Sequence, residues 1–478
     1  MSQSKSIFTG PRSKRLCKKA ESRRPHIAIA GGGASGLLLA GELIRAGAVV
    51  TVVEPREQLG TGIAYSTACP LHLLNAPASN MSGLHDDPAH FVDWLAAQGE
   101  GASAGRFAER LLYGRYLRSM AEELRRSAGE RLRHVRSMVN DANVTDDAVV
   151  VACANGETIT ADAFVVAVGN AEPASWPRIE PGTLATQRYF HSAWADGAID
   201  SPDPAETVVA LGTGLTAIDA VLGLRYNGHR GPIFIVSRRG LLPHEHRVFD
   251  SPPAAAPDAA NVRDLIGALR LEARRPSNDR GWRGAIDALR SQTNARWRSW
   301  DLEDQRRFVR HVLPYWNVHR HRIAPEAAKI VNELIAAGTL RMIAGRTEEI
   351  QVAPGALHVS IRPRGEADTL RIAAGRIINC SGPEHNVAKL TSPLIRSLIE
   401  RSYLVPHPLQ IGASVAADGA LISADGTPSI RMYAIGPVRF GTLIETTAIP
   451  EIREQARHLA LTLTESRALR VDDAHAPW

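Results

Sequence analysis

The stretch HIAIAGGGASG, residues 26–36, decides the fold. Five residues of short apolar strand run into a glycine turn, and LLLAGELIRAG continues from it with the periodicity of a helix that stops at Gly47. VVTVVE follows as a second strand and ends on Glu54, 23 residues after Gly31. Strand, GxGxxG turn, helix, strand and terminal acid in this order predict a dinucleotide-binding unit. Gly31 permits the sharp turn, Gly33 lets a pyrophosphate approach the main chain, and Gly36 allows close packing of helix on strand. Ala34 and Ser35 place free N–H groups and the positive end of the helix dipole at the phosphates. Glu54 is positioned to accept hydrogen bonds from ribose hydroxyls.

A second unit of the same kind occupies residues 206–237, where ETVVALGTGLTAIDAV is followed by PIFIVS. Here Gly212 and Gly214 take the first two glycine places and Ala217 the third, where any small residue suffices. No acid closes its second strand. Arg238 and Arg239 stand there instead, and arginines suit a 2′-phosphate, so NADPH is expected over NADH. Two sites with a long intervening segment favour FAD in the first unit and NAD(P)H in the second. Gly169, Gly382 and Gly436 each end a later apolar strand and are candidates to pass near the FAD.

The expected architecture is therefore α/β, with two Rossmann-like domains and a helical insertion. Residues 1–24 read as a disordered basic tail. Residues 25–185 form the first part of the FAD domain, and 205–350 the NAD(P) domain with an insertion at about 251–330. Residues 370–478 complete the FAD domain.

Charge supports this division. Of 56 Lys and Arg residues, eight lie in the first 24 positions against the single acid Glu21, and the remainder of the chain is near neutral. The basic balance is thus a tail property, and no nucleic-acid-binding body is expected. No apolar run reaches membrane-spanning length and no secretory signal is apparent, so a cytoplasmic protein is expected. Cys17, Cys69, Cys153 and Cys380 form neither a CxxC nor a CxxxxC pair, which disfavours a disulfide reductase. The pairs His244/His246 and His319/His321 have only superficial ligand spacing, and no metal is expected.

Beyond the glycine turns, the chain resembles a family of FAD/NAD(P)-binding proteins. The matching stretches are IAIAGGGASGLLLA, VEPREQLGTGIAYST, HLLNAPASNMSGL with FVDWL, LPYWNVHRHRIAP and ETTAIPEIREQA, and they span nearly the whole chain after residue 25. By size and two-site layout it is most similar to the bacterial FAD-dependent urate hydroxylases of that family. N-hydroxylating members share chiefly the FAD region. The resemblance implies a monooxygenase taking NAD(P)H and molecular oxygen, converting urate to 5-hydroxyisourate through a C4a-hydroperoxyflavin. A planar urate anion would call for an aromatic wall and a cation, and Trp316, Arg320 and Arg322 supply those types. His72 and Asn75 in LHLLNAP and Glu445 in LIETTAIP are expected near the flavin. A catalytic base stays open among Glu445, His72 and His319. The alternatives are an N-hydroxylase of an amino acid or amine, an NAD(P)H-dependent flavin reductase or oxidase, and a non-catalytic flavin-binding protein.

Overall fold

A computed structural model describes residues 23–473, except 102, 177, 250–254 and 276–277, with side chains described as far as residue 465. All but the last two residues of the expected tail lie outside the described residues.

Strand His26–Ala30 sits in a six-stranded sheet, parallel to Val49–Val53 on one side and to Ala163–Val166 on the other. Leu132–Val135 extends it at one edge. Pro428–Ala434 and the antiparallel Ala420–Ile422 extend it at the other. Four of the five residues of the first strand are buried, as befits a parallel strand covered on both faces. One face carries the helices Ala34–Arg45, Arg110–Ala128 and Ile449–Asp473, whose Leu39, Leu43, Leu117 and Leu459 share a core with Ile27 and Ile29. The other carries the three-stranded antiparallel sheet of residues 139–161 and the helix Pro393–Glu400.

The second sheet has seven strands. Its parallel core is Leu340–Ala353, Ile233–Ser237, Val208–Leu211, Arg376–Asn379 and Tyr189–Phe190, and two antiparallel strands, Ala356–Pro363 and Leu370–Ala374, widen one edge. Residues 370–379 therefore belong to this sheet, whereas the sequence placed them in the returning FAD domain. Arg376–Asn379 pairs with the glycine-turn strand, Arg376 against Val208 and Asn379 against Leu211, and all four of its residues are buried. The chain rejoins the first sheet only at Ala420–Ile422.

The insertion is also shorter than expected. Helix Pro325–Ala336 is the crossover into strand Leu340–Ala353: its Ala327, Ala328, Val331 and Leu334 lie in the second sheet's own core. The insertion proper is a cluster of short helices from Val262 to Arg320, built around Trp297, Trp300, Phe308 and Trp316. Its core takes in Ile444, and Leu409, Ile411 and Phe440 of the first domain lie against it. Trp297 Nε1 donates to the Gly441 carbonyl at 2.8 Å. A module inserted into one domain is thereby seated on the other.

Candidate functional site

The first turn is built as its glycines require. Gly31 has φ +105°, and a Cβ there would lie 2.4 Å from the Ala167 carbonyl oxygen on the neighbouring strand. A Cβ on Gly36 would lie 2.0 Å from the Gly31 carbonyl oxygen. Gly33 differs: it caps the helix with φ −68°, and a Cβ there would meet only the backbone of Gly62, the nearest atom being its Cα at 3.5 Å. Two glycines thus face each other and leave room for a ligand between the turn and the loop of residues 60–62. Glu54 is buried. It accepts from the Gly32 amide at 2.8 Å and from Arg56 at 3.2 Å, so it holds the turn as well as facing the groove.

The groove that contains Gly33, Ala34 and Ser35 has a volume of about 300 Å³ and shares Gly31, Glu54, Arg56 and Gly169 with a second cavity of about 680 Å³. Gly169 (φ +72°) has open space beside it. Gly436 (φ +78°) is buried against Ser35, and its neighbour Pro437 lines the groove instead. These dimensions and the exposed turn fit a long phosphate-bearing cofactor.

The second turn repeats the design. Gly212 has φ +135°, and a Cβ would fall 2.2 Å from the Cys380 carbonyl oxygen, as Gly31 stands to Ala167. Gly382, just beyond Cys380, is therefore the second domain's counterpart of Gly169, and it lines the groove of the first turn as well as the second turn's cavity. Gly214 caps the helix Leu215–Tyr226, and a Cβ there would meet nothing within 4 Å. Ala217 is fully buried beneath the helix. This turn opens into a cavity of about 860 Å³.

Arg238 lines that cavity. Arg239 does not: its guanidinium lies 5.9 Å from the Tyr315 ring and donates to the Arg310 carbonyl at 3.4 Å. That carbonyl stands four residues before Pro314, which has no N–H to donate, and a π turn spans Phe308–Val312 there. Arg178 and Arg346, which the sequence reading missed, line the cavity with Arg238. Among the described residues none of these three is in an ion pair. Only a pattern linking the Pro-rich connector to the third strand of the second unit would have pointed to them.

The expected substrate residues are engaged elsewhere, and none lines the 860 Å³ cavity. Trp316 is buried in the helical core and donates to Glu445 at 3.1 Å. Arg320 pairs with Glu445 and Glu451, each at 3.4 Å. Arg322 pairs with Asp287 and stacks over Trp282. Of the three proposed bases, Glu445 is held by Trp316 and Arg320. His72 is buried between Thr67 (2.7 Å) and the Asp219 carbonyl (2.8 Å). The His319 ring lies against His244 and Trp282, beside a separate cavity. Asn75 lines the large cavity, on the second turn's side rather than in the FAD groove.

The two domains meet at this site. Arg110 of the first pairs with Asp219 of the second at 2.9 Å, both nearly buried. Burial pushes the Asp219 carboxyl up, while Arg110 and His72 pull it down. The groove of the first turn and the cavity of the second share Tyr65, Leu215, Thr216, Gly382 and Thr447 in their walls. Cys380 lines the larger one, and burial pushes its thiol far up, so it is not a thiolate. Among the described residues Cys69, Cys153 and Cys380 are all unpaired, and no group of residues is arranged to hold a metal. No helix among them is long and apolar enough to cross a membrane.

The model of a family described as FAD-NAD(P)-binding matches residues 28–171, the span of the first turn and its sheet. FAD and NAD(P)H are accordingly the cofactors of this two-turn fold. No curated protein matches the chain. The fold is similar to that of an ornithine hydroxylase from Pseudomonas aeruginosa (16% identity, TM-score 0.61, covering 92% of this chain and 99% of the other). It is also similar to an L-lysine 6-monooxygenase from Pseudomonas syringae (14%, TM-score 0.64, 93% and 99%). A bacillithiol disulfide reductase from Bacillus cereus shares it less closely (14%, TM-score 0.52, 93% and 100%).

Proposed function

We propose that the protein is a flavin-dependent monooxygenase that uses NADPH and oxygen to N-hydroxylate a primary amine. The observation that carries this reading is the junction of the two cavities at Tyr65, Leu215, Thr216, Gly382 and Thr447. FAD on the first turn and NADPH on the second would bring their redox-active ends to that junction. FAD, when bound, supplies hydride acceptance and oxygen activation.

The chain's own residues orient and enclose. The N-termini of the helices after Gly33 and Gly214 hold the two pyrophosphates. Arg178, Arg238 and Arg346 hold the 2′-phosphate. The helical insertion, seated on Gly441 and Ile444, walls the cavity from bulk water with Asn317 and Val318. Among the described residues the cysteines are all unpaired, so no dithiol stands at the junction to take electrons onward.

For the substrate, the cavity offers Asn75, Asn317 and Thr447 as neutral hydrogen-bonding groups beside Met81 and Ile449. These suit an N–H donor on an aliphatic chain. The fold likeness to ornithine and lysine hydroxylases agrees with this choice. Urate loses support because Trp316, Arg320 and Arg322 are occupied in the helical module.

The test follows NADPH consumption, hydrogen peroxide and product with L-ornithine, L-lysine, cadaverine, urate and no substrate. An amine should stimulate NADPH oxidation and yield a hydroxylamine. Urate consumption would return the reaction to C-hydroxylation, and peroxide alone in every arm would make the protein an oxidase.

A further inference from the structure

One side chain in the large cavity has no assigned task. His321 is the residue that ends helix Leu313–Arg320, and its backbone N–H donates to the Asn317 carbonyl at 2.8 Å. It lines the cavity with Asn317 and Val318 from its own helix and with Asn75, Met81, Thr447, Ala448 and Ile449 from the first domain. Thr447 also belongs to the junction with the flavin groove. Among the described residues no protein group hydrogen-bonds the His321 ring. Two histidines elsewhere between the domains are satisfied: His246 donates to the Asn75 carbonyl, and the His72 ring lies between Thr67 and the Asp219 carbonyl.

We propose that His321 is the base that accepts the proton of the substrate's ammonium group, so that the nitrogen lone pair is free at the flavin-facing end of the cavity. This rests on the amine-hydroxylase reading above. A primary amine arrives as R–NH3⁺ at neutral pH and has no lone pair to form an N–O bond. His321 breaks one N–H bond and takes the proton. The nitrogen then bonds to one atom of O2, and the other leaves as water, taking up the proton from His321. NADPH supplies the two electrons. R–NH3⁺, NADPH and O2 thus give R–NH–OH, NADP⁺ and water, with no net proton.

The surroundings keep the ring neutral and ready. Burial is the largest influence and pushes its pKa down, with Arg320 and Arg290 acting the same way. Glu445 and Glu451 oppose them, but each is spent on arginines: Arg320 bonds both, and Arg290 bonds Glu451. Burial, with the two arginines, thus outweighs the two acids, and near pH 7 the ring is a neutral imidazole with one nitrogen free to accept a proton.

The test compares the holoenzyme with His321→Asn and His321→Gln, using whichever amine the wild type hydroxylates. Anaerobic flavin reduction by NADPH is measured in both variants, and the loss of hydroxylamine formation is judged relative to any change in that step. Hydroxylamine formation should fall by about 10²-fold or more, the usual worth of a positioned base. Its rise with pH should lose the wild-type inflection, and peroxide should appear instead. NMR titration of the His321 ring in the wild-type holoenzyme, assigned by its loss in either variant, should show it neutral above pH 6.5. Unchanged product rate and pH profile, or a ring protonated at pH 7, would overturn the role of His321 alone. A wild type that hydroxylates no amine would overturn the function itself, and this role with it.

Discussion

Gly212 and Gly214 stand two residues apart in one turn, yet substitution should break different things. At Gly214 the backbone is extended (φ −80°, ψ −167°), and a Cβ would meet nothing within 4 Å. Gly214→Val is therefore unstrained in the protein, and weaker capping should cost only about 1 kcal/mol. The added methyls project into the cavity where the pyrophosphate would approach. Displacing it from two helix N–H groups forfeits about 1.5–3 kcal/mol for each charge-assisted hydrogen bond. The Kd for NADP⁺ should rise roughly 10²- to 10⁴-fold. Flavin content, set by the other turn, should be unchanged. At Gly212 the φ of +135° and the Cys380 oxygen at 2.2 Å make even alanine intolerable. The backbone strain and the overpacking together should cost roughly 2–6 kcal/mol, read as a lowered Tm or insoluble protein. Calorimetric titration with NADP⁺, beside flavin absorbance and a melting curve, separates the two outcomes. A folded Gly214→Val variant that binds NADP⁺ within threefold of wild type would refute the assignment of the second turn to a dinucleotide.

Gly33→Val should act on FAD as Gly214→Val acts on NADP⁺, giving soluble but colourless protein; full flavin retention would reject the groove. Replacing Arg178 and Arg346 together by alanine should raise KM for NADPH at least tenfold while leaving KM for NADH nearly unchanged, since only the former carries a 2′-phosphate. Asp219→Ala leaves the buried Arg110 without its partner and should destabilise the protein by about 3–5 kcal/mol, read in a denaturant titration. His246 is pushed down to about 4, first by burial and then by Arg322. With its folded pKa below the unfolded 6.5, the unfolded state binds the extra proton. Its contribution is thus present above pH 6.5 and is lost as pH falls toward 4, by up to ~3 kcal/mol. Tm should drop across that window, and His246→Gln should flatten the slope.

Much of the fold was legible because its signals are local. A glycine with positive φ beside a neighbouring strand, a small residue under a helix and an apolar strand before both are properties of about thirty consecutive residues. HIAIAGGGASG and VVALGTGLTA carry them without help from the rest of the chain. The absence of paired cysteines is equally a matter of counting. Domain bookkeeping was harder: GRIINCSG and AFVVAVGN look alike as apolar strands ending near glycine, and only hydrogen bonding assigns the first to the second sheet and the second to the first.

The site depended on side-chain partners that sequence spacing does not encode. Four polar or aromatic residues within six positions, on one helix and its cap, end up in different environments. Trp316 and Arg320 meet Glu445 from 125 or more residues away, His319 meets His244, and His321 alone of the helix's histidines reaches the central cavity. Likewise Arg178 and Arg346 come to Arg238 from distant segments: Arg238 follows strand Ile233–Ser237, Arg346 lies within the adjacent strand Leu340–Ala353, and Arg178 precedes Ile179, which bridges to Ile350 of that strand. The sequence by itself determined the two dinucleotide turns, since backbone conformation there follows from the residues in place. Tertiary structure alone decided which charges are spent on one another and which face the central cavity, because pairing depends on distances that only the folded chain sets.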